Sequence, residues 1–284
     1  MSGYDVMNEP SFANGDLAAT LAIQDQAARG EFANDNLTDF MNRGIAAVRR
    51  SSDDAYVFIE PTSLLNAFPY PGDLVEDDIV DPRDGPPRVV YAGHLYEPSV
   101  HDGGGYDDDS TYVAAWEGMR VPEAATMNAA LWFGEWGGSP DQPGIDRYVD
   151  DVLTMADRTM SGWAWWSWDP GGWSPVTDDG TTPSANGKRL MRVQPRSVAG
   201  TPNAFSWDRD TRVFELTWAD HPGVQGDTEV AVPEGAYPDG FGVFLDDRKI
   251  DEPDWDPTTG VLAVPAGGDS GTHHLCVGPK DACA

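Results

Sequence analysis

Along the first 190 positions the spacing of apolar residues switches between two periods. Short apolar runs read as strands at Tyr4–Met7, Tyr56–Ile59, Arg88–Ala92, Ala130–Gly134 and Gly162–Trp166. Between them, apolar positions recur every three or four residues. Leu37, Phe40, Met41, Ile45 and Val48 line one face of a helix, with Asn36 placed to cap it. Thr111–Met119 and Asp146–Met160 read as further helices, the second offering Tyr148, Val152, Leu153, Met155 and Ala156 for packing. Strands alternating with helices predict a parallel sheet, open or closed into a barrel. In such folds chemistry collects at the C-terminal strand ends. The polar and aromatic groups fall there: Asn8 and Glu9, then His94 and Tyr96, then Glu135, then Trp166 and Trp168.

After residue 190 the pattern changes. Gly171–Asn186 is rich in Gly, Pro, Thr and Asp and reads as a long loop and a boundary. Short β-runs follow at Val213–Trp218, Glu229–Val232, Gly242–Leu245, Val261–Val264 and His273–Val277, separated by turn residues. They predict a small antiparallel β-sandwich. The expected domains are 1–190 and 191–284.

Composition narrows the classes. With 284 residues and 40% hydrophobic content, the chain can bury a core. A net charge of −30 repels nucleic acid and anionic lipid headgroups, so neither is an expected partner. The acids lie in loops such as Val75–Asp81 and Tyr106–Ser110 and read as a solvated surface. Asp107–Asp109 lacks the spaced Gly and terminal Glu of a calcium loop, so no metal site is expected. Cys276 and Cys283 would close a small loop around Gly278 and Pro279, as a local disulfide or as two free thiols. No apolar run is long enough to span a membrane. No signal peptide precedes the first strand, which reads as short and buried with nothing before it to pair with. The chain is therefore expected to be a fragment of a longer product. Eleven Trp serve core packing, or platforms for the apolar faces of sugars.

Two glutamates carry the chemistry. Asn8-Glu9-Pro10 ends one strand and Gly134-Glu135-Trp136-Gly137 ends another. Cleaving a glycosidic bond needs one protonated carboxyl to donate and one ionised carboxylate to attack, about 5–5.5 Å apart when configuration is retained. Two strand ends facing each other across a barrel mouth can supply that spacing.

The sequence resembles glycoside hydrolase family 5, and within it the endoglycoceramidase-like members. The matching residues are Tyr4-Asp5-Val6-Met7-Asn8-Glu9-Pro10, His94-Leu95-Tyr96, Gly134-Glu135-Trp136-Gly137 and Trp163-Ala164-Trp165-Trp166-Ser167-Trp168. The resemblance implies secreted enzymes that release an intact oligosaccharide from ceramide, with a C-terminal β-sandwich and no cofactor. It implies Glu9 as acid/base, Glu135 as nucleophile, and Asn8 bonded to the sugar 2-hydroxyl. Tyr96 would hold the nucleophile, His94 would line the same site, and Trp166 would lie under the sugar ring. Trp168 is expected in the core. The visible strands would be strands 4 to 8 of a partial (β/α)8 TIM barrel.

A barrel lacking three strands has two open edges, so the chain alone is expected to be inactive or poorly folded. The expected partner is a glycolipid or oligosaccharide, with transient contact to a membrane surface and a monomeric state. Two alternatives stay open: an endo-β-glucanase or mannanase with the same catalytic residues, and an inactive carbohydrate- or lipid-binding fragment. The run Leu64–Tyr70 would line an apolar entry for ceramide, or pack as an ordinary loop.

Overall fold

The computed structural model describes residues 3–11, 17–29, 31, 33–63, 69–169, 171–221, 223–224, 226–265, 271–280 and 282–283. They divide into two compact units, 1–155 with 161–182, and 156–160 with 183–284.

In the first unit, strands β1 (Gly3–Asp5), β2 (Tyr56–Ile59), β3 (Val89–Leu95), β4 (Ala130–Trp136) and β5 (Gly162–Trp165) form one sheet in chain order among the described residues. Every neighbouring pair is parallel. The helices are α1 (Leu17–Ala28), α2 (Asp35–Arg49), α3 (Pro98–His101), α4 (Tyr112–Thr126) and α5 (Ile145–Thr159). The architecture is an α/β fold with a parallel half-barrel sheet, as the alternation predicts.

The central strand β3 is buried at every position, the pattern of a parallel strand covered on both faces. Leu37, Met41 and Ile45 of α2 pack against Val57 and Ile59 of β2 and Val89 and Tyr91 of β3. Their i, i+4 spacing aligns them on one side of the helix. Phe40 turns outward.

Asn34 rather than Asn36 caps α2. Its side chain accepts from the Leu37 N–H at 3.0 Å, three residues on, where Asn36 already lies inside the first turn. The first strand is also unlike the expected buried one. It is Gly3–Asp5, pairs with β2, and leaves Tyr4 48% exposed, because a strand with one sheet neighbour covers only part of its side chains.

In the second unit, helix α6 (Ala185–Leu190) begins where a loop was expected, and the Ser184 hydroxyl accepts from the Gly187 N–H at 3.2 Å. The strands are β6 (Gln194–Ser197), β7 (Thr201–Asp208), β8 (Val213–Ala219), β9 (Thr228–Ala231), β10 (Phe241–Leu245), β11 (Arg248–Lys249), β12 (Asp254–Asp256), β13 (Val261–Val264) and β14 (Thr272–Pro279). Among the described residues they form two antiparallel sheets, ordered β11-β10-β14-β8-β7 and β12-β13-β9-β6. Alternate residues of both sheets share one core: Phe214, Leu216 and Trp218 of β8 with Val230 of β9 and Leu262 and Val264 of β13. Cys276 and Cys283 are joined by a disulfide. No helix among the described residues is long and apolar enough to cross a membrane.

At Gly162 an added Cβ would lie 2.0 Å from the Trp132 ring, so β4 and β5 can lie side by side there only over a glycine. At Gly118, on α4, an added Cβ meets nothing within 4 Å. Gly162→Ala should therefore destabilise the fold by about 1–3 kcal/mol. Gly118→Ala should stabilise it by about 0.5–1 kcal/mol. Urea unfolding of both variants checks the contrast, and equal midpoints would contradict it.

Candidate active site

The ends of four adjacent strands deliver the candidate residues. Asn8 and Glu9 follow β1, Glu60 follows β2, His94 ends β3 with Tyr96 just beyond it, and Glu135 lies on the last turn of β4. The parallel pairing slips between Gly93 and Leu95 against β4, and between Phe133 and Trp136 against β5. Such irregularities re-aim a side chain, and Glu135 sits inside this one. Gly134 is required for the approach of its neighbour, because a Cβ there would lie 2.9 Å from the His94 ring.

His94 is buried at the centre of a carboxylate cluster. Its Nδ1 lies 3.0 Å from Glu9 Oε1 and 3.5 Å from Glu135 Oε2, and its Nε2 lies 3.3 Å from Glu60 Oε1. Burial acts to lower the imidazole pKa, but the hydrogen bond and charge of Glu60, the charge of Glu135 and the bond to Glu9 outweigh it and raise the pKa to about 9. The shift favours the charged ring at neutral pH, with Nδ1 facing Glu9 and Nε2 in an ion pair with Glu60. Glu60 is itself buried, and desolvation raises its pKa while the His94 bond opposes the rise. The Glu60 Oε2 accepts the backbone N–H of Glu9 at 3.2 Å.

The backbone at Glu9 adopts φ +45°, a left-handed conformation that costs free energy outside glycine. Tyr96 donates its hydroxyl to Glu135 Oε2 at 2.9 Å. Burial, and then the charge of Glu135, push the Tyr96 pKa well up, so the phenol keeps its proton and stays a donor.

A cleft of about 770 Å³ opens over these groups. Asn8, Glu9, Tyr96, Glu135 and Trp166 line it, so five of the six residues expected in the site share one cavity. The sixth, His94, lies beneath Glu9 and Glu135, in contact with both. Trp166 is half exposed and follows β5, with its N–H donated to the Trp136 carbonyl at 2.9 Å. Trp168 is not in the core as expected. It is 71% exposed, because the strand ends at Trp165 and the chain after it leaves the sheet. Residues 64–68 of the apolar run Leu64–Tyr70 lie outside the described residues.

Glu9, His94 and Glu135 each offer a ligand atom, and these atoms lie within 4.8 Å of one another. A cation could use such a donor set only through a neutral imidazole. With its pKa raised to about 9, His94 would have to release a proton to ligate an ion.

Comparisons with known proteins identify the family. Residues 2–172 match the model of Cellulase (glycosyl hydrolase family 5), and residues 192–277 match the glycoside hydrolase family 5 C-terminal domain. The chain belongs to glycosyl hydrolase family 5. It is a hydrolase fold of the glycosidase class, and its half-barrel sheet matches part of a TIM barrel.

Endoglycoceramidase I of Rhodococcus hoagii (strain 103S) is 27% identical over 109 residues, which are 38% of this chain and 20% of that protein. Endo-glycoceramidase II from Rhodococcus sp. in complex with ganglioside GM3 is 28% identical, with a TM-score of 0.78 over 98% of this chain and 58% of that one. The same enzyme as a lactosyl-enzyme intermediate gives 28% identity and a TM-score of 0.75 over the same shares. Sterylglucosidase 1 of Cryptococcus neoformans, at 11% identity and a TM-score of 0.62, shares the fold alone, over 86% of this chain and 44% of that one. The chain spans less than two thirds of the length of each of these relatives.

Several residues in and beneath the cleft were missed in the sequence. Glu60-Pro61 follows β2 as Glu9-Pro10 follows β1, and that repeat was the available signal. Trp173 and His101 line the cleft beside Tyr96, with ring centroids 6.3 and 5.5 Å from it. Trp173 falls in the segment read as a boundary loop, and His101 in the short helix α3. Neither carries a local signal.

The raised His94 pKa fixes a pH dependence. A group whose folded pKa lies above its unfolded value of about 6.5 stabilises the fold fully below that pH and loses the contribution as pH rises through the folded value, here about 9. His94→Gln should therefore cost the most stability below pH 6.5, and the gap from wild type should narrow between pH 7 and 10. Urea midpoints of both proteins across that range test this; a gap that widens with pH would refute it.

Proposed function

We propose that this chain is a retaining glycosidase that cleaves the β-glycosidic bond between an oligosaccharide and ceramide. One observation carries the reading: Glu9 and Glu135 present carboxylate oxygens within 4.8 Å of each other on the floor of one cleft. That spacing supports retention, which uses carboxyls about 5–5.5 Å apart, over inversion, which needs about 6.5–9.5 Å to admit a water.

In this mechanism a Glu135 oxygen attacks the anomeric carbon while Glu9 protonates the glycosidic oxygen. The carbon–oxygen bond to the leaving group breaks as the bond to Glu135 forms, and ceramide departs as an alcohol. Glu9, now a carboxylate, takes a proton from water. The resulting hydroxide equivalent attacks the same carbon and frees Glu135. Tyr96 steadies the attacking carboxylate through its 2.9 Å bond. Asn8 is assigned to the sugar 2-hydroxyl and Trp166 to the face of the ring, roles that their places on the cleft support.

The lipid side of the substrate rests on the relatives, which are endoglycoceramidases, one of them in complex with ganglioside GM3. An aromatic wall of Tyr96, Trp166 and Trp173 supports a sugar-sized occupant. We extend the proposal to an extracellular setting, supported by the Cys276–Cys283 disulfide. The two sheets of the second unit, with their shared core, support its reading as a β-sandwich.

The test is hydrolysis of a ganglioside and of a soluble β-glucan by the purified chain and by Glu135→Gln. The site is assembled within one compact unit, so the expected result is ganglioside cleavage, lost by roughly 10⁴-fold or more in the variant. Cleavage would also overturn the expectation that the chain alone is inactive. Faster cleavage of the β-glucan would favour the endoglucanase alternative. Unaltered turnover in Glu135→Gln would refute the assignment.

A further inference from the structure

One buried carboxylate near the cleft has no part in the mechanism above. Glu60 does not line the cavity, yet its side chain is only 1% exposed and its two oxygens face two different pieces of the site. Oε1 lies 3.3 Å from His94 Nε2, and Oε2 accepts the Glu9 backbone N–H at 3.2 Å. Burying a carboxylate is costly unless it is paired and hydrogen-bonded. A carboxylate kept here points to a geometric task that an apolar residue could not perform.

We propose that Glu60 is a positioning residue for the reaction, a single carboxylate that clamps the His94 ring with one oxygen and the Glu9 backbone with the other. The inference rests on the reading of Glu9 and Glu135 as the reacting pair.

Two consequences follow from the contacts. The Glu9 backbone is held at φ +45°, and such a conformation persists only where surrounding bonds over-determine it. The bond from Glu60 to the Glu9 N–H is one of those restraints. In addition, a carboxylate at Nε2 favours the doubly protonated ring, in which Nδ1–H donates toward Glu9 Oε1 at 3.0 Å with Glu135 Oε2 at 3.5 Å. The charged or titratable groups facing His94 among the described residues come from every neighbouring strand end. They are Glu9 after β1, Glu60 after β2, Glu135 on β4 and the Tyr96 ring at 6.4 Å, with Asp5 acting on Glu60. All the charged ones are acidic, so removing one negative charge weakens the hold on the ring's second proton.

The experiment is Glu60→Gln, which keeps the size and an acceptor but removes the charge. Imidazole NMR of the purified chain follows the His94 titration, with its signal assigned by its loss in His94→Gln. The expected result is a midpoint lower by roughly one to three units. In the hydrolysis assay kcat should fall roughly 10²-fold with KM nearly unchanged, and its alkaline limb should move down with the His94 midpoint. A residue that merely filled the core would lower stability without moving either titration.

An unchanged His94 midpoint in folded Glu60→Gln would overturn the proposal. So would an unchanged kcat in a chain whose wild type turns over. The titration needs no turnover, so a chain without activity would count against the glycosidase reading while the NMR still decides the role of Glu60. If Glu60→Gln does not fold, Glu60→Asp serves in its place. It keeps the charge with a shorter reach, so it should hold the midpoint near wild type while kcat drops; wild-type kcat in a folded Glu60→Asp would overturn the proposal.

Discussion

Three glutamates, arriving from β1, β2 and β4, crowd around the His94 ring. Like charges brought this close repel, and the repulsion works to drive the strand ends apart. A protonated imidazole offsets it. Its Nδ1 lies at hydrogen-bond distance from Glu9 and near Glu135, and its Nε2 forms an ion pair with Glu60. Much of the surrounding backbone serves to admit that ring. Gly134 has no side chain where the ring passes, and the pairing of β4 slips beside it so that Glu135 turns toward the cleft.

The ring is held in turn by the most buried strand of the sheet. β3 is covered at all seven positions, and its register against β4 sets how far His94 and Glu135 reach along the strand axis. The core between α2 and β2–β3 packs against the same strand through Val89 and Tyr91. On the other side, the buried Trp136 ring meets Trp163 and Trp165 at 5.7 and 4.8 Å, and so ties the strand that carries Glu135 to the one that leads to Trp166.

This hierarchy explains what could be read from the chain alone. Strand–helix alternation is a local pattern, so β2, β4, β5, α2 and α5 fell close to their predicted places. The residues Glu9, Tyr96, Glu135 and Trp166 were legible because each stands beside a strand end, where a polar or exposed aromatic group interrupts an apolar run. Glu60 stands in the same kind of place, but what distinguishes it is its burial, which only the neighbouring strands create. β7 was missed because its first four residues are exposed and only Phe205 and Trp207 alternate toward the core. Trp168 was misjudged for the opposite reason. Its type suggested the core, while its position past the end of β5 leaves it in solvent.

The bridging imidazole also bears on stereochemistry. A cation shared by Glu9 and Glu135 favours their approach, and their oxygens lie within 4.8 Å. An inverting site needs the two carboxyls far enough apart for a water to lie between the sugar and the base. A donor that bonds one carboxylate at 3.0 Å and lies 3.5 Å from the other works against such a separation. The charge balance that lets three acids coexist at the end of the sheet thus favours the close spacing that a covalent glycosyl intermediate uses.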